Sequence, residues 1–288
     1  MNIKKFARQI PLARQVHKTY LNLVHGRANS KILQRLEKTS YSQGVRIAEA
    51  VKSLQQQQMS QPEQGWIDRI EAERNYLLSL KAPLIDESLG QGGLHDHGVS
   101  IHQACLASKP LKPATLLFLL TRSIKPKTVI ELGTNVGISS AYIAAALKLN
   151  EQNGRVVTLD ASPYRQRLAK NMHGNLGLDN VSYAEGVFSD TLTLSLRKES
   201  TIDLAFIDGH HKYQPTLDYF EEILTFSHPD TVFVFDDIRW SAGMKEAWSH
   251  IQSDERLGLI VDLAKVGVSV LRQQDIPHRI VFEPMYAF

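Results

Sequence analysis

Residues 128–146 read TVIELGTNVGISSAYIAAA. Thr128-Val129-Ile130 is a β-branched run suited to a buried parallel strand. Gly133 and Gly137 follow, and good helix formers run from Ala141 to Leu147. Strand, glycine turn and helix in that order predict the first βα unit of a nucleotide-type sheet. Gly133 allows a sharp backbone turn, and Gly137 allows a ligand or the sheet to approach the helix start. Glu131 falls at the carboxyl end of the strand, where open α/β sheets bind ligands. The spacing G-x-x-x-G is not the G-x-G-x-x-G of the dinucleotide fingerprint. A pyrophosphate sits poorly beside Glu131, whereas a cofactor bearing an amine and a sulfonium sits well. The stretch therefore points to S-adenosylmethionine.

Downstream, strand and helix patterns alternate, as a parallel sheet requires. Strands are expected at Thr128–Leu132, Arg155–Leu159, Val181–Ala184, Asp203–Ile207, Thr231–Phe235 and Gly258–Asp262. A last strand over Val268–Arg272 follows a turn near Lys265–Gly267, too short for anything but an antiparallel pair. The fold class is α/β: a Rossmann-like, seven-stranded, mostly parallel sheet with its last strand antiparallel, plus an N-terminal helical extension. Tyr213, Leu217, Phe220 and Leu224, like Met244, Ala247, Trp248 and Ile251, recur at helical spacing and are expected in the core.

Upstream, residues 1–58 look helical, with Gly26 and Gly44 as interruptions, and a linker follows around Gln55–Pro62. Trp66, Ile67, Ile70, Leu77 and Leu78 lie mainly on one face of a helix over Pro62–Leu80, which Pro83 ends. Leu89–Val99 is a glycine- and histidine-rich loop. Its His95 and His97 admit a metal pair or a mobile loop near the site. A helix over Pro113–Arg122 leads into the first strand. The expected division is a basic helical extension at 1–60, a helical lead-in and covering loop at 61–125, and a cofactor-binding catalytic domain at 126–288.

The chain has 288 residues and a net charge of +3. Up to Ser60, eleven basic residues stand against Glu37 and Glu49, a local charge of +9 that leaves the rest near −6. A basic arm can meet nucleic acid, an anionic membrane or an acidic partner, or be a solvated helical face packed on a partner subunit. No apolar run approaches the ~20 residues of a membrane span, and residues 1–16 lack the apolar core of a signal peptide. The single cysteine, Cys105, excludes an internal disulfide and suggests a reducing, cytoplasmic setting.

Three strand ends carry carboxylates. Asp160 closes the second strand, where an acid commonly accepts hydrogen bonds from ribose hydroxyls. Asp208 closes the fourth, and Asp236-Asp237 close the fifth. Aspartates before helices can be simple caps, but parallel topology delivers all three strand ends to one rim. Carboxylates gathered there repel unless a cation joins them, and hard oxygen ligands select Mg²⁺, Mn²⁺ or Ca²⁺. His210 and His211 follow Asp208 directly. A histidine there can take a proton from a substrate hydroxyl at neutral pH, and His211 is the stronger candidate.

From about Pro113 to Arg272 the chain resembles the class I S-adenosylmethionine-dependent methyltransferases. The nearest type is the metal-dependent O-methyltransferases of catechol and caffeoyl-CoA, with bacterial natural-product relatives closer still. Glu131-Leu-Gly-Thr-Asn-Val-Gly-Ile-Ser139 stands where that family has its first cofactor motif. The resemblance implies that Gly133 and Asn135 line the methionine part, that Ser139 holds its carboxylate and that Asp160 binds the ribose. It also implies that Gly186, Val187 and Phe188 border the adenine. Asp208 in Ile207-Asp-Gly-His-His211 and Asp236-Asp237 in Phe235-Asp-Asp resemble the two metal motifs. Two positions depart from the catechol type: His211 stands where a lysine base is found, and Asp237 where an asparagine is found.

The expected activity is methyl transfer to a hydroxyl of a small molecule, assisted by a divalent cation, Mg²⁺ first. His211 would be the base, and the protein a homodimer through its N-terminal helices. Two other classes make distinct predictions. An RNA methyltransferase using the basic arm binds nucleic acid with a steep salt dependence, although no RNA-binding fold or aromatic-rich basic patch is visible. A non-catalytic cofactor-binding assembly protein shows no turnover. The glycine spacing disfavours a dinucleotide oxidoreductase.

Overall fold

The computed structural model describes residues 29–84, 99–276, 278–282 and 284–285. His95, His97, Gly26 and residues 1–28 of the basic arm lie outside these described residues.

Among the described residues one sheet of eight strands has the order β3-β2-β1-β4-β5-β7-β6-β8. The strands are β1 Thr128–Leu132, β2 Arg155–Asp160, β3 Val181–Glu185, β4 Ile202–Ile207, β5 Ser227–Phe235, β6 Leu257–Asp262, β7 Gly267–Leu271 and β8 Ile280–Phe282. β1 to β5 pair in parallel, while β7 runs antiparallel to both β5 and β6. The α/β class, the parallel sheet and its antiparallel strand are as the sequence predicts. The eighth strand is an addition: β8 lies parallel to β6 at the edge.

Alternation along the strands divides the core between the two faces of the sheet. Val129, Leu204, Phe206, Val232 and Val234 point to one side. Ile130, Leu132, Ala205, Ile207, Phe233 and Phe235 point to the other. The helices Ser42–Gln56, Leu111–Ile124 and Ile138–Asn150 cover the first face, and Phe188–Glu199, Tyr213–Leu224 and Ala242–Ser253 cover the second. Of the two stripes expected as core, Met244, Ala247, Trp248 and Ile251 are all buried; in the other only Phe220 is, with Leu217 and Leu224 half-buried against the core and Tyr213 turned to His250.

The described part of the N-terminal region belongs to the same core. Ile32, Leu36, Tyr41, Ile47 and Val51 are buried, Tyr41 Oη donates to the carbonyl of His278 at 3.2 Å, and Arg46 caps the carbonyl of Ile124 at 2.7 Å. Gly44 does not interrupt a helix as expected; it lies inside Ser42–Gln56, and the break falls at residues 38–41. A Cβ at Gly44 would stand 2.4 Å from Thr39 Oγ1, so the glycine lets the chain double back on its own helix. Among the described residues no helix is long and apolar enough to cross a membrane.

Candidate active site

Strand register builds the site. Leu132 is level with Leu159 and Ile207, and Ile207 with Phe235. The residues that follow therefore leave the sheet along one rim. Backbone bonds continue the ladder beyond the side chains: Gly133 N donates to Leu159 O at 2.9 Å, Asp208 N to Leu132 O at 3.0 Å and Asp236 N to Ile207 O at 3.0 Å. Above the rim opens a cavity of about 340 Å³, within the usual range for small-molecule sites.

Seven of the sequence-predicted cofactor residues line it: Gly133, Asn135, Ser139, Asp160, Val187, Phe188 and Asp208. Asp160 accepts from Asn135 N at 2.7 Å and from Ser162 N at 2.9 Å. The helix Ile138–Asn150 starts from Gly137, whose φ is 89° and which brings no side-chain cap. Ile138 and Ser139 of its first turn line the cavity. Val187 and Phe188 form the wall beyond Asp160.

Three positions differ from their expected surroundings. Glu131 is fully buried beneath the helix start, where Thr158 Oγ1 donates to it at 2.6 Å. It does not border the cavity, because the strand's alternation turns it to the face that Val129 shares, under the helix Ile138–Asn150, and burial pushes its carboxyl up to about 7. Gly186 is also off the cavity wall; its N–H donates to Asp160 O at 3.0 Å and its φ of 139° sets the turn into Val187. The side chain of Asn135 braces the lead-in segment instead of reaching into the pocket, donating to Ala104 O at 2.9 Å and Ser108 Oγ at 3.2 Å.

Gly137 shows why a glycine is needed, although its close neighbour is another helix and not the ligand or the sheet. A Cβ there would meet Ala169 Cβ at 2.7 Å and His173 Nε2 at 2.9 Å. His173 is buried, donates from Nε2 to Gly137 O at 2.8 Å and pairs through Nδ1 with the Tyr183 hydroxyl at 2.6 Å. Burial lowers its pKa to about 4 from 6.5. A histidine depressed in the folded state is neutral there while the unfolded chain takes up a proton, so its contribution is lost as pH falls from 6.5 toward 4. The expected result is that the stability advantage of wild type over His173→Gln shrinks by about 3 kcal/mol between pH 7 and pH 4. Urea unfolding of both proteins at the two pH values measures it, and a constant difference would refute it.

On the acceptor side stand Asp208, Gly209, His210 and His211. His211 Nε2 lies 3.5 Å from Asp208 Oδ1, and its side chain is 10% exposed. His210 turns away to stack on Tyr219 at 5.8 Å between centroids and bonds the Tyr219 hydroxyl through Nδ1. Burial lowers its pKa. Burial raises Asp208, against which the charges of Lys109 and His211 pull back.

Lys109 is the residue sequence reasoning missed. Its ammonium forms ion pairs with Asp236 Oδ2 and, at 3.4 Å, with Asp208 Oδ2, and its side chain is 10% exposed. The strand tips at Asp208 and Asp236 do converge, but a lysine and not a vacant ligand set joins them. Asp237 contributes charge nearby, raising Asp208, yet does not line the cavity. Among the described residues no three His, Cys, Asp or Glu side chains gather as a metal would need. The arrangement does not fit the expected divalent cation at Asp208, Asp236 and Asp237, because the Lys109 ammonium already sits on Asp208 Oδ2 and Asp236 Oδ2. Gln103, Ser108 and Arg165, also unforeseen, complete the walls.

Residues 130–238 match a family profile described as a methyltransferase domain. A catechol O-methyltransferase of Niastella koreensis is 32% identical over 124 residues, covering 42% of this chain and 54% of that protein. The chain spans about half the length of the curated relatives it matches. The crystal structure of a Podospora anserina methyltransferase superposes with a TM-score of 0.51 at 17% identity, covering 59% of this chain and 82% of the other. A Klebsiella pneumoniae protein gives 0.51 at 20% identity, covering 72% and 90%. The fold is thus the one that the sequence resemblance implies.

Proposed function

We propose that this protein is an S-adenosylmethionine-dependent O-methyltransferase acting on a hydroxyl of a small molecule or natural product. The observation that carries the proposal is the meeting, around one cavity, of the Gly133 turn, the first turn of the helix Ile138–Asn150, Asp160 and His211. The first three suit the methionine and ribose ends of the cofactor. Gly133 keeps the turn free of a side chain, the Ile138–Asn150 helix start offers N–H groups to a carboxylate, and Asp160 offers acceptors to ribose hydroxyls. The Podospora anserina relative holds S-adenosylhomocysteine, which supports the same choice here.

When bound, S-adenosylmethionine supplies an electrophilic methyl whose C–S bond breaks, the electron pair staying on sulfur, as the C–O bond to the acceptor forms. His211 takes the hydroxyl proton on a ring nitrogen, and Asp208 orients the imidazole from 3.5 Å. The walls from Gln103 to Lys109 and Phe188 shield the centre from water. Trp240, 64% exposed and 6.3 Å from the His211 ring between centroids, offers a flat face to a planar acceptor. No step passes through a metal.

S-adenosylmethionine is expected to raise the melting temperature by several degrees, since ligand at 100 times Kd stabilises by about 2.7 kcal/mol. NAD should leave it unchanged. Labelled methyl transfer is then measured on catechols, sugar diols and phenols, the first because the Niastella relative is named for catechol. Stabilisation by NAD alone would overturn the proposal, as would transfer to RNA with no small-molecule acceptor.

A further inference from the structure

The lysine at the rim asks for its own explanation. Lys109 lies in the turn between the helices Ile101–Leu106 and Leu111–Ile124, far in sequence from the strands it meets. Arg74 Nη2 holds its carbonyl at 2.8 Å, and Arg74 is itself buried and paired with Glu71. The stem of Lys109 passes the face of Phe206, with Nζ 6.0 Å from the ring centroid. This segment is therefore anchored, and it delivers the ammonium into the gap between two strand ends. Asp236 is only 2% exposed there. A carboxylate so buried needs a paired charge.

We propose that the Lys109 ammonium is the resident cation of this site. It occupies the place between Asp208 and Asp236 that a divalent ion would take, and it presents its remaining donor to the acceptor oxygen. Lys109 and a bridging ion compete for one place, because the ammonium engages the facing oxygens Asp208 Oδ2 and Asp236 Oδ2. Asp208 Oδ1 faces His211. A Mg²⁺ ion demands oxygen ligands at about 2.0–2.1 Å in octahedral array, and an ammonium within the same shell repels it. An ammonium has three donors; two serve the carboxylates, and the cavity Lys109 lines can bring an acceptor oxygen to the third. A single positive charge then polarises that oxygen without a metal. Only this last role rests on the methyl-transfer proposal.

The test reads metal binding directly, so its failure is separate from any failure of methyl transfer. Mn²⁺ is titrated into the full chain by electron paramagnetic resonance and calorimetry. Wild type and Lys109→Arg are expected to show no saturable site. Lys109→Ala and Lys109→Gln, with melting checked, are expected to gain about tenfold or more in Mn²⁺ affinity as the opposing charge leaves. Adding Asp236→Asn to either should abolish the gain. Saturable Mn²⁺ binding by wild type that Asp208→Asn or Asp236→Asn removes would overturn the proposal, even if neither lysine variant folds. Folded lysine variants with no gain would overturn it as well.

Discussion

His211→Ala should slow methyl transfer about 10²–10⁴-fold, the usual contribution of a positioned general base, while leaving S-adenosylmethionine affinity essentially unchanged. His211 lines the same cavity as the Gly133 turn and Asp160. Two features mark it as placed for chemistry. Its ring faces Asp208 Oδ1 at 3.5 Å, the base-and-orienter pairing of activated sites. Its backbone is also held at φ 45°, directly after His210 at 60°, and successive left-handed non-glycine residues persist only where the surroundings impose them. His211 N donates to Gly209 O at 2.7 Å, fixing the tight turn that presents the ring.

Rates at saturating acceptor, followed across pH, separate a base from a structural role. The variant should lose the limb of the profile that a proton acceptor imposes, and a purely structural loss would scale the whole curve. His210→Ala should cost less, since its ring is spent on Tyr219 and Phe188. Full turnover by His211→Ala would remove it from the mechanism.

The rim was legible because parallel register is local information repeated: each strand ends in a recognisable apolar run, and the next residue necessarily emerges at the same level. Asp160, Asp208 and Asp236 could be placed together on that ground alone. Lys109 could not. It stands between Ser108 and Pro110, with no periodic pattern, and reaches Asp236 only through a long-range contact. The helix Ile101–Leu106, whose six residues are too few for a 3.6-residue period to register, escaped notice for the same reason. So did β8, with three residues. The expectation of a metal arises from this gap. Converging carboxylates do demand a cation, but sequence motifs cannot say whether an ion or a distant side chain supplies it. Glu131 illustrates a second limit, because strand position fixes which end of the sheet a residue occupies, not how deep beneath the following helix it lies.

Gly133→Ala should destabilise the fold by about 2–6 kcal/mol, from about 1–3 kcal/mol of backbone strain and about 1–3 kcal/mol of overpacking, and should abolish measurable cofactor binding. Gly133 has φ 104°, and a Cβ there would lie 2.3 Å from Asp208 O and 3.2 Å from Asp208 C. Both are backbone atoms, so no side chain can swing aside. Nor can the strand ends part easily, since Asp208 N is bonded to Leu132 O at 3.0 Å and Gly133 N to Leu159 O at 2.9 Å. Any relief must move Asp208, and with it the contacts to Lys109 and His211, so the loss reaches both halves of the cavity. Gly174 is the matched control. It lies within the helix Pro163–Leu176, with nothing within 4 Å of a Cβ. Alanine there should stabilise by about 0.5–1 kcal/mol through helix propensity. Chemical denaturation gives both changes and calorimetry gives cofactor affinity. Similar small effects at the two glycines would mean that the turn and the Asp208 backbone are not in contact as described, and the site built upon them would fall with that contact.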